Sequence, residues 1–360
     1  MPNQPVALKI KAVGMVFSLL LATWNLSAQD ALPYLLTTEN QLEVVGFPIH
    51  QPAVDAGTVS AVKGPLVYWS PSFTDRPFGS ALRPGQEYYV EVVGPVSHSW
   101  LGHRFELDET STRARTDHVL VTLASAYNTR GIPDSSLAGA RLEIRPHLTV
   151  DGLWGETIRD RVLYGGEPAT SFIFSLPAPG TVPGTLSVTP SLQRPSDPLE
   201  WMNSLAQGVR ITEPLLIPPG TAVVVTLGQR RGSSLSLTAE PRAWPTAAPL
   251  QSGVNLLAYP YPKDLRLGID WGSSREGFKG SAKPFPGQDR LEIWAGKNRR
   301  SFAPETQASG GVRWRLLNPT TITRDWAQPP TYLDRIPPGQ GFLLRKSKAD
   351  SLHFFYPPQP

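Results

Sequence analysis

The sequence predicts an all-β protein of two or three antiparallel β-sandwich-like units with an internal duplication, and three observations carry that expectation. Thirty-eight prolines and 31 glycines in 360 residues leave little room for long helices, because each interior proline costs a helix about 3 kcal/mol. The apolar residues recur instead in short runs: EYYVEVVG (87–94), HVLVTLASA (118–126), TAVVVTLG (221–228), RLEIWAG (290–296) and GFLLRKS (341–347). Most of these are bounded by Gly, Pro, Asn or Asp and are rich in β-branched or aromatic residues, the pattern of strands. Third, nearly the same phrase occurs twice, 119 positions apart: IPPGTAVVVTLG from 217 and IPPGQGFLLRKS from 336.

At the N-terminus, Lys9 and Lys11 precede an apolar run over about 12–22, then a stretch ending in Leu26, Ser27 and Ala28. That is the layout of a secretory signal peptide covering 1–28, and the run is shorter than the ~20 residues a bilayer span needs. The expectation is export to the cell surface or extracellular space, with the periplasm as the alternative and no membrane span after cleavage. Removing 1–28 lowers the formal charge from +4 to +2, and a near-neutral surface argues against nucleic acid as a partner. The absence of cysteine excludes disulfides, thiolate metal sites and cysteine nucleophiles. What remains is long enough to bury two or three cores.

Those cores are expected in an N-terminal β unit (29–138), a first sandwich repeat (139–248) with a Pro-rich loop at 177–198, and a second repeat (249–360). The repeated phrase has a physical reason. In Pro-Gly the proline fixes φ near −65° and the glycine accepts a positive φ, so the pair fits a type II turn that launches a strand. Pro219 with Gly220 and Pro338 with Gly339 serve the two repeats, and Pro84 with Gly85 serves the N-terminal unit. The flanks agree as well: DRVLYGG (160–166) matches DRLEIWAG (289–296), and SLSLTAEP (234–241) matches SLHFFYPP (351–358). A Trp-bearing segment, around Trp201 and around Trp314, precedes each Ile-Pro-Pro-Gly. The stretch 241–249 reads as a linker, and PLEWMNSLA (198–206) is a weak helix candidate.

The ordered segments VVGFPI (44–49), YYVEVVGP (88–95), IRPHLTVDGLWG (144–155), GVNLLAYPYP (253–262), DRLEIWAG and IPPGQGFLLRKS resemble a paralogous family of exported proteins first described in Verrucomicrobium. The resemblance spans nearly all of the mature chain and implies export, β structure and a surface role, without an activity or catalytic residues. GVNLLAYPYPKDLRLGIDW is also similar to an N-L-I-x-N-P-Y-P-x-x-x-x-W element of secreted bacterial β-sandwich modules. Here Tyr259 replaces the second Asn, and eight residues rather than four separate Pro262 from Trp271.

No motif in the chain carries catalysis, and no cofactor or metal site is assigned. His98 and His103 fall on opposite faces of a strand unless Gly102 turns the chain. His147 beside Pro146 reads as a framework residue, and Ser60 to Lys63 is a chance S-x-x-K without its partner motifs. Acidic pairs such as Asp108 and Glu109 suit glycoside hydrolysis only at the right separation. The tryptophans offer more. Trp69, Trp100, Trp271, Trp294, Trp314 and Trp326 are candidates for a sugar-stacking face, of which Trp271, Trp294 and Trp314 are assigned to binding; the competing reading places these rings in the core. In DRLEIWAG, period-2 alternation sets Leu291 and Ile293 opposite Glu292 and Trp294. The expected function is an exported, non-catalytic structural or interaction protein whose partners would be polysaccharide or cell-envelope proteins. The alternatives are a carbohydrate-binding protein with exposed Trp and Tyr platforms and, behind it, a secreted hydrolase.

Overall fold

A computed structural model describes residues 31–36, 43–48, 50–71, 82–108, 118–122, 133–153, 155, 171–176, 184–191, 199–203, 209–212, 214–226, 233–238, 242–248, 250, 252–273, 276–295, 298–319, 325–347 and 353–357. The chain opens with β1 (Ala31–Leu36) and β2 (Glu43–Gly46). Six strands follow: β3 (Asp55–Lys63), β4 (Leu66–Pro71), β5 (Tyr88–Gly94), β6 (Arg104–Leu107), β7 (His118–Thr122) and β8 (Arg141–Pro146). Next come β9 (Leu148–Thr149), β10 (Ser171–Leu176), β11 (Gly184–Ser191), β12 (Glu200–Asn203), β13 (Val209–Ile211), β14 (Leu216–Ile217), β15 (Ala222–Thr226) and β16 (Ser233–Thr238). The chain closes with β17 (Thr246–Ala248), β18 (Gly253–Ala258), β19 (Leu265–Arg266), β20 (Arg290–Ala295), β21 (Asn298–Thr306), β22 (Val312–Leu316), β23 (Tyr332–Leu333), β24 (Arg335–Ile336), β25 (Gly341–Lys346) and β26 (His353–Phe355). The fold is all-β, with every ladder between these strands antiparallel.

Strands β3, β4, β7, β6, β5 and β8 close into a barrel. Alternation along the strands explains the closure. Tyr88, Val90 and Val92 of β5, Phe105 and Leu107 of β6, and Leu142 and Ile144 of β8 fill one core together with Trp100. Their neighbours Tyr89, Glu91, Arg104, Glu106, Glu143 and Arg145 therefore take the outer wall.

The other strands form two six-stranded sheets, in the order β2-β15-β10-β11-β12-β13 and β18-β25-β20-β21-β22-β23. Each sheet is accompanied by two short pairs, β1 with β16 and β9 with β14 for the first, β17 with β26 and β19 with β24 for the second. With the barrel set aside, the ten strands β1, β2 and β9–β16 have the same pairing scheme as the ten strands β17–β26. Strand pairing thus crosses the expected boundary at 138/139, because β8 completes the barrel while β2 pairs with β15.

The two sheets meet through Val44, Ala222, Val224, Leu256 and Ala258, with Trp294 and Leu343 packed against them. The contact is reciprocal. Gly46 N–H donates to the Gly339 carbonyl at 2.9 Å, and Ala258 N–H, at the matching place in β18, donates to the Gly220 carbonyl at 3.0 Å. Leu257 and Tyr259, alternating with Leu256 and Ala258, point instead into a second core built on Trp271, Phe278, Trp314 and Phe342. Burial on both faces is why this strand reads as a continuous apolar run.

Gly85, Gly220 and Gly339 have φ of 75°, 81° and 80°. Each turn is closed by a hydrogen bond: Gln86 N–H to Arg83 O at 3.3 Å, Thr221 N–H to Pro218 O at 3.1 Å and Gln340 N–H to Pro337 O at 3.2 Å. Three local expectations are corrected. The Pro-rich loop at 177–198 contains β11, since residues 184–189 lack proline and lie between the edges of β10 and β12. Within the weak helix candidate at 198–206, residues 200–203 form β12, where pairing on both sides overrides local preference. The linker at 241–249 contains β17, all of it buried. The segment 160–166, matched by sequence to 289–296, lies outside the described residues.

Candidate functional site

The outer wall of the barrel carries two cross-strand rows of polar groups, Arg104–Glu91–Glu143 and Glu106–Tyr89–Arg145. On an ordinary barrel this charged face meets water. Here all six residues are buried, because other parts of the chain cover them. Burying charge is tolerable only with partners. Arg242 reaches Glu91 in an ion pair whose side chains expose no surface. Arg145 is paired with Glu143 and also donates to the Gln51 carbonyl at 2.6 Å. The His147 imidazole lies 2.8 Å from Glu106 and packs on the Tyr89 ring.

The segment that supplies Arg242 clamps the barrel to the second set of strands. Ala247 N–H donates to the Gly102 carbonyl at 3.1 Å. Gly102 has a φ of 80°, and a Cβ there would lie 2.2 Å from the Pro245 carbonyl oxygen, so only glycine allows this approach. Trp244 stacks on His50 at 5.4 Å between ring centroids, with the Arg145 and Arg242 guanidiniums 5.3 and 5.7 Å from its ring. The Tyr261 hydroxyl sits 2.7 Å from the Trp244 carbonyl oxygen, and His103 meets the Phe354 ring edge-on at 5.3 Å.

Electrostatics follow from this burial. Burial pulls the Arg242 guanidinium down more than any single neighbour raises it, but Glu91, through its charge and its hydrogen bond, together with Tyr89 and Tyr261 holds the group above its ordinary value. Burial pulls Arg104 down and pushes Tyr89 up. His50 is held far below the usual histidine range by burial, then by Arg242 and Arg145, so its ring is neutral. Glu91 with Arg242, Glu143 with Arg145 and Glu106 with His147 form pairs within the seam, an arrangement suited to fixing one module against another.

Over this seam opens a groove of about 1200 Å³, between the barrel turn at 93–101 and the stretches 261–270 and 354–357, with Arg242 and Trp244 among its lining. Its position follows from topology. The barrel occupies the connection from β2 to β9 in the first strand set; the corresponding connection in the second set, between β18 and β19, is short and supplies Tyr261, Pro262 and Lys263 to the groove. A smaller recess of about 520 Å³, lined by Gln51, Arg83, Gln86, Tyr88 and His147 among others, lies where the chain enters and leaves the barrel.

The tryptophans assigned to binding stand elsewhere. Trp271 and Trp314 are 0% exposed in the second core, which corrects their reading as a sugar platform, since a ring packed on both faces offers neither to a ligand. Trp294 is half-buried against the contact between the sheets. Trp100 fills the barrel core and donates to Ser136 Oγ at 2.7 Å. Trp326 is half-buried and donates to the Ala282 carbonyl at 3.1 Å. The Trp69 side chain lies outside the described residues. Gly102 does turn the chain between His98 and His103, yet His98 lies 3.4 Å from the Ala138 carbonyl while His103 packs between Trp100 and Phe354.

Sequence reasoning missed Arg242, Trp244 and the groove. The legible signal was the Glu and Arg alternation shared by β5, β6 and β8, together with Arg and Trp inside PRAWPTAAP (241–249). No protein-family model, curated protein or solved structure matches the chain.

Proposed function

We propose that the protein is an exported, non-catalytic interaction component of the cell surface or extracellular space, and that it engages its partner through the groove between the barrel and the second strand set. One observation carries this reading. Among the described residues four large apolar side chains are exposed, and three of them, Val96 at 89%, Ile269 at 71% and Tyr356 at 50%, line this one groove from three separate stretches. Scattered exposed apolar residues are ordinary, whereas a convergent set marks an interaction surface. The test passes cell-envelope material over immobilised full-length protein and over Ile269→Asp. Retention by the wild type that the variant loses supports the reading, and equal retention by both rejects it.

The two ten-strand sets are copies of one ancestral sandwich unit, the first interrupted by the barrel. Their common pairing scheme and the reciprocal Gly46–Gly339 and Ala258–Gly220 hydrogen bonds support this, as in an isologous contact between identical subunits. Val44, Val45, Gly46, Phe47 and Pro48 then correspond to Leu256, Leu257, Ala258, Tyr259 and Pro260. The described strands of the two sets share one pairing scheme, and the barrel, inserted into the first set, breaks that correspondence beside the groove.

A further inference from the structure

We propose that the groove takes an extended polypeptide segment bearing aliphatic side chains beside a carboxylate, an assignment that rests on the groove being the interaction surface. Its volume of about 1200 Å³ exceeds the roughly 300–1000 Å³ of small-molecule sites. Its two most exposed large apolar side chains are aliphatic. Val96 and Ile269 are branched side chains with no flat face for a pyranose ring, and they suit the methyl groups of another chain.

The aromatic rings of the groove are largely engaged already. Trp244 is stacked by His50 and approached by two guanidiniums. Phe354 has His103 against it at 5.3 Å and Tyr356 at 6.2 Å. Tyr356 is the one exposed ring among the described lining residues, while Trp244 and Phe354 are half-buried with rings already packed against them, too little for the row of free stacking surfaces that a sugar chain requires.

Charge selects the carboxylate. Of the cations lining the groove, Arg242 is neutralised from below by Glu91, and Arg266 holds Asp270 through a bond of 2.7 Å. Asp270 is the only acid among the described lining residues, and it is already occupied. Lys263 makes no ion pair among the described residues, so the groove keeps an unbalanced positive charge at its edge. An acidic side chain or a chain-terminal carboxylate set beside Lys263 would complete it, with the salt dependence expected of a rim charge.

The test selects a phage-displayed library of random linear peptides on immobilised full-length protein, with a glycan array run on the same preparation. The expected result is enrichment of peptides that combine aliphatic residues with Asp or Glu. Their binding should fall about tenfold or more in Val96→Asp and in Ile269→Asp, and Lys263→Gln should flatten its dependence on salt. Val96 and Ile269 lie on separate exposed stretches, and unchanged tryptophan fluorescence in each variant separates loss of binding from loss of fold. Peptides that bind the Asp variants equally well, or that are enriched in Lys and Arg, overturn the proposal. Glycan binding abolished by Ile269→Asp, with no peptide enriched, overturns the peptide assignment and leaves the groove as an interaction surface. Silence in both assays removes the assignment and the groove reading together.

Discussion

Glu91 and Arg242 stand 151 positions apart and form a pair that exposes no side-chain surface. Such a pair costs more to break than to replace, because removing one partner strands a buried charge. Glu91→Leu or Arg242→Met alone should destabilise by about 3–5 kcal/mol, while the two together should cost much less than their sum; urea unfolding of the four species checks this, and additive losses would contradict it. His50 gives the seam a pH dependence. Its folded value is depressed below the ordinary 6.5, so the unfolded chain binds a proton that the folded chain refuses. That contribution is complete above pH 6.5 and is lost as pH falls below it, by up to about 1.4 kcal/mol per pH unit. His50→Phe should remove this part of the slope, and an unchanged slope would show that other groups produce it. At Gly339, where φ is 80°, Val should cost about 1–3 kcal/mol; an unchanged urea midpoint would argue against the turn.

At the scale of elements, strand type was legible because it depends on local composition. The runs at 87–94, 118–126, 221–228, 290–296 and 341–347 each contain a strand, and Pro84-Gly85, Pro219-Gly220 and Pro338-Gly339 form the turns their chemistry demands. Exposure was less legible. Alternation correctly separated Leu291 from Trp294, but it could not say that the far side of the sheet faces a second sheet, or that Glu91, Glu143 and Arg145 face another part of the chain. The same gap explains Trp271 and Trp314, whose rings a sequence cannot place inside or outside without knowing what covers them. Gly102 tests the covering element directly. Gly102→Ala would push a methyl group against Pro245 and strain a positive φ, so the 242–247 segment should lift from the barrel. Hydrogen exchange should accelerate at the Ala247 amide, which donates to Gly102, and remain slow at Val90 and Ile144 in the barrel. Unchanged exchange at Ala247 would mean the clamp does not depend on this contact.

Across the whole molecule, the pairing that matters is non-local. Val44 pairs with Val224 over the entire barrel, so no window of sequence reveals that the barrel interrupts one strand set rather than preceding it. The repeated Ile-Pro-Pro-Gly phrase was visible because each copy lies within a short, uninterrupted stretch of its own set. Two similar strand sets pack reciprocally, the barrel is clamped across the second of them, and the groove lies where that clamp leaves the apolar side chains of three stretches exposed. The most direct test of this account is a hydrogen-exchange footprint of the full-length protein with and without bound cell-envelope material. Protection should concentrate at 93–101, 261–270 and 354–357; protection centred instead on the outer strands β21–β23, with the groove unchanged, would rule out the groove as the contact surface.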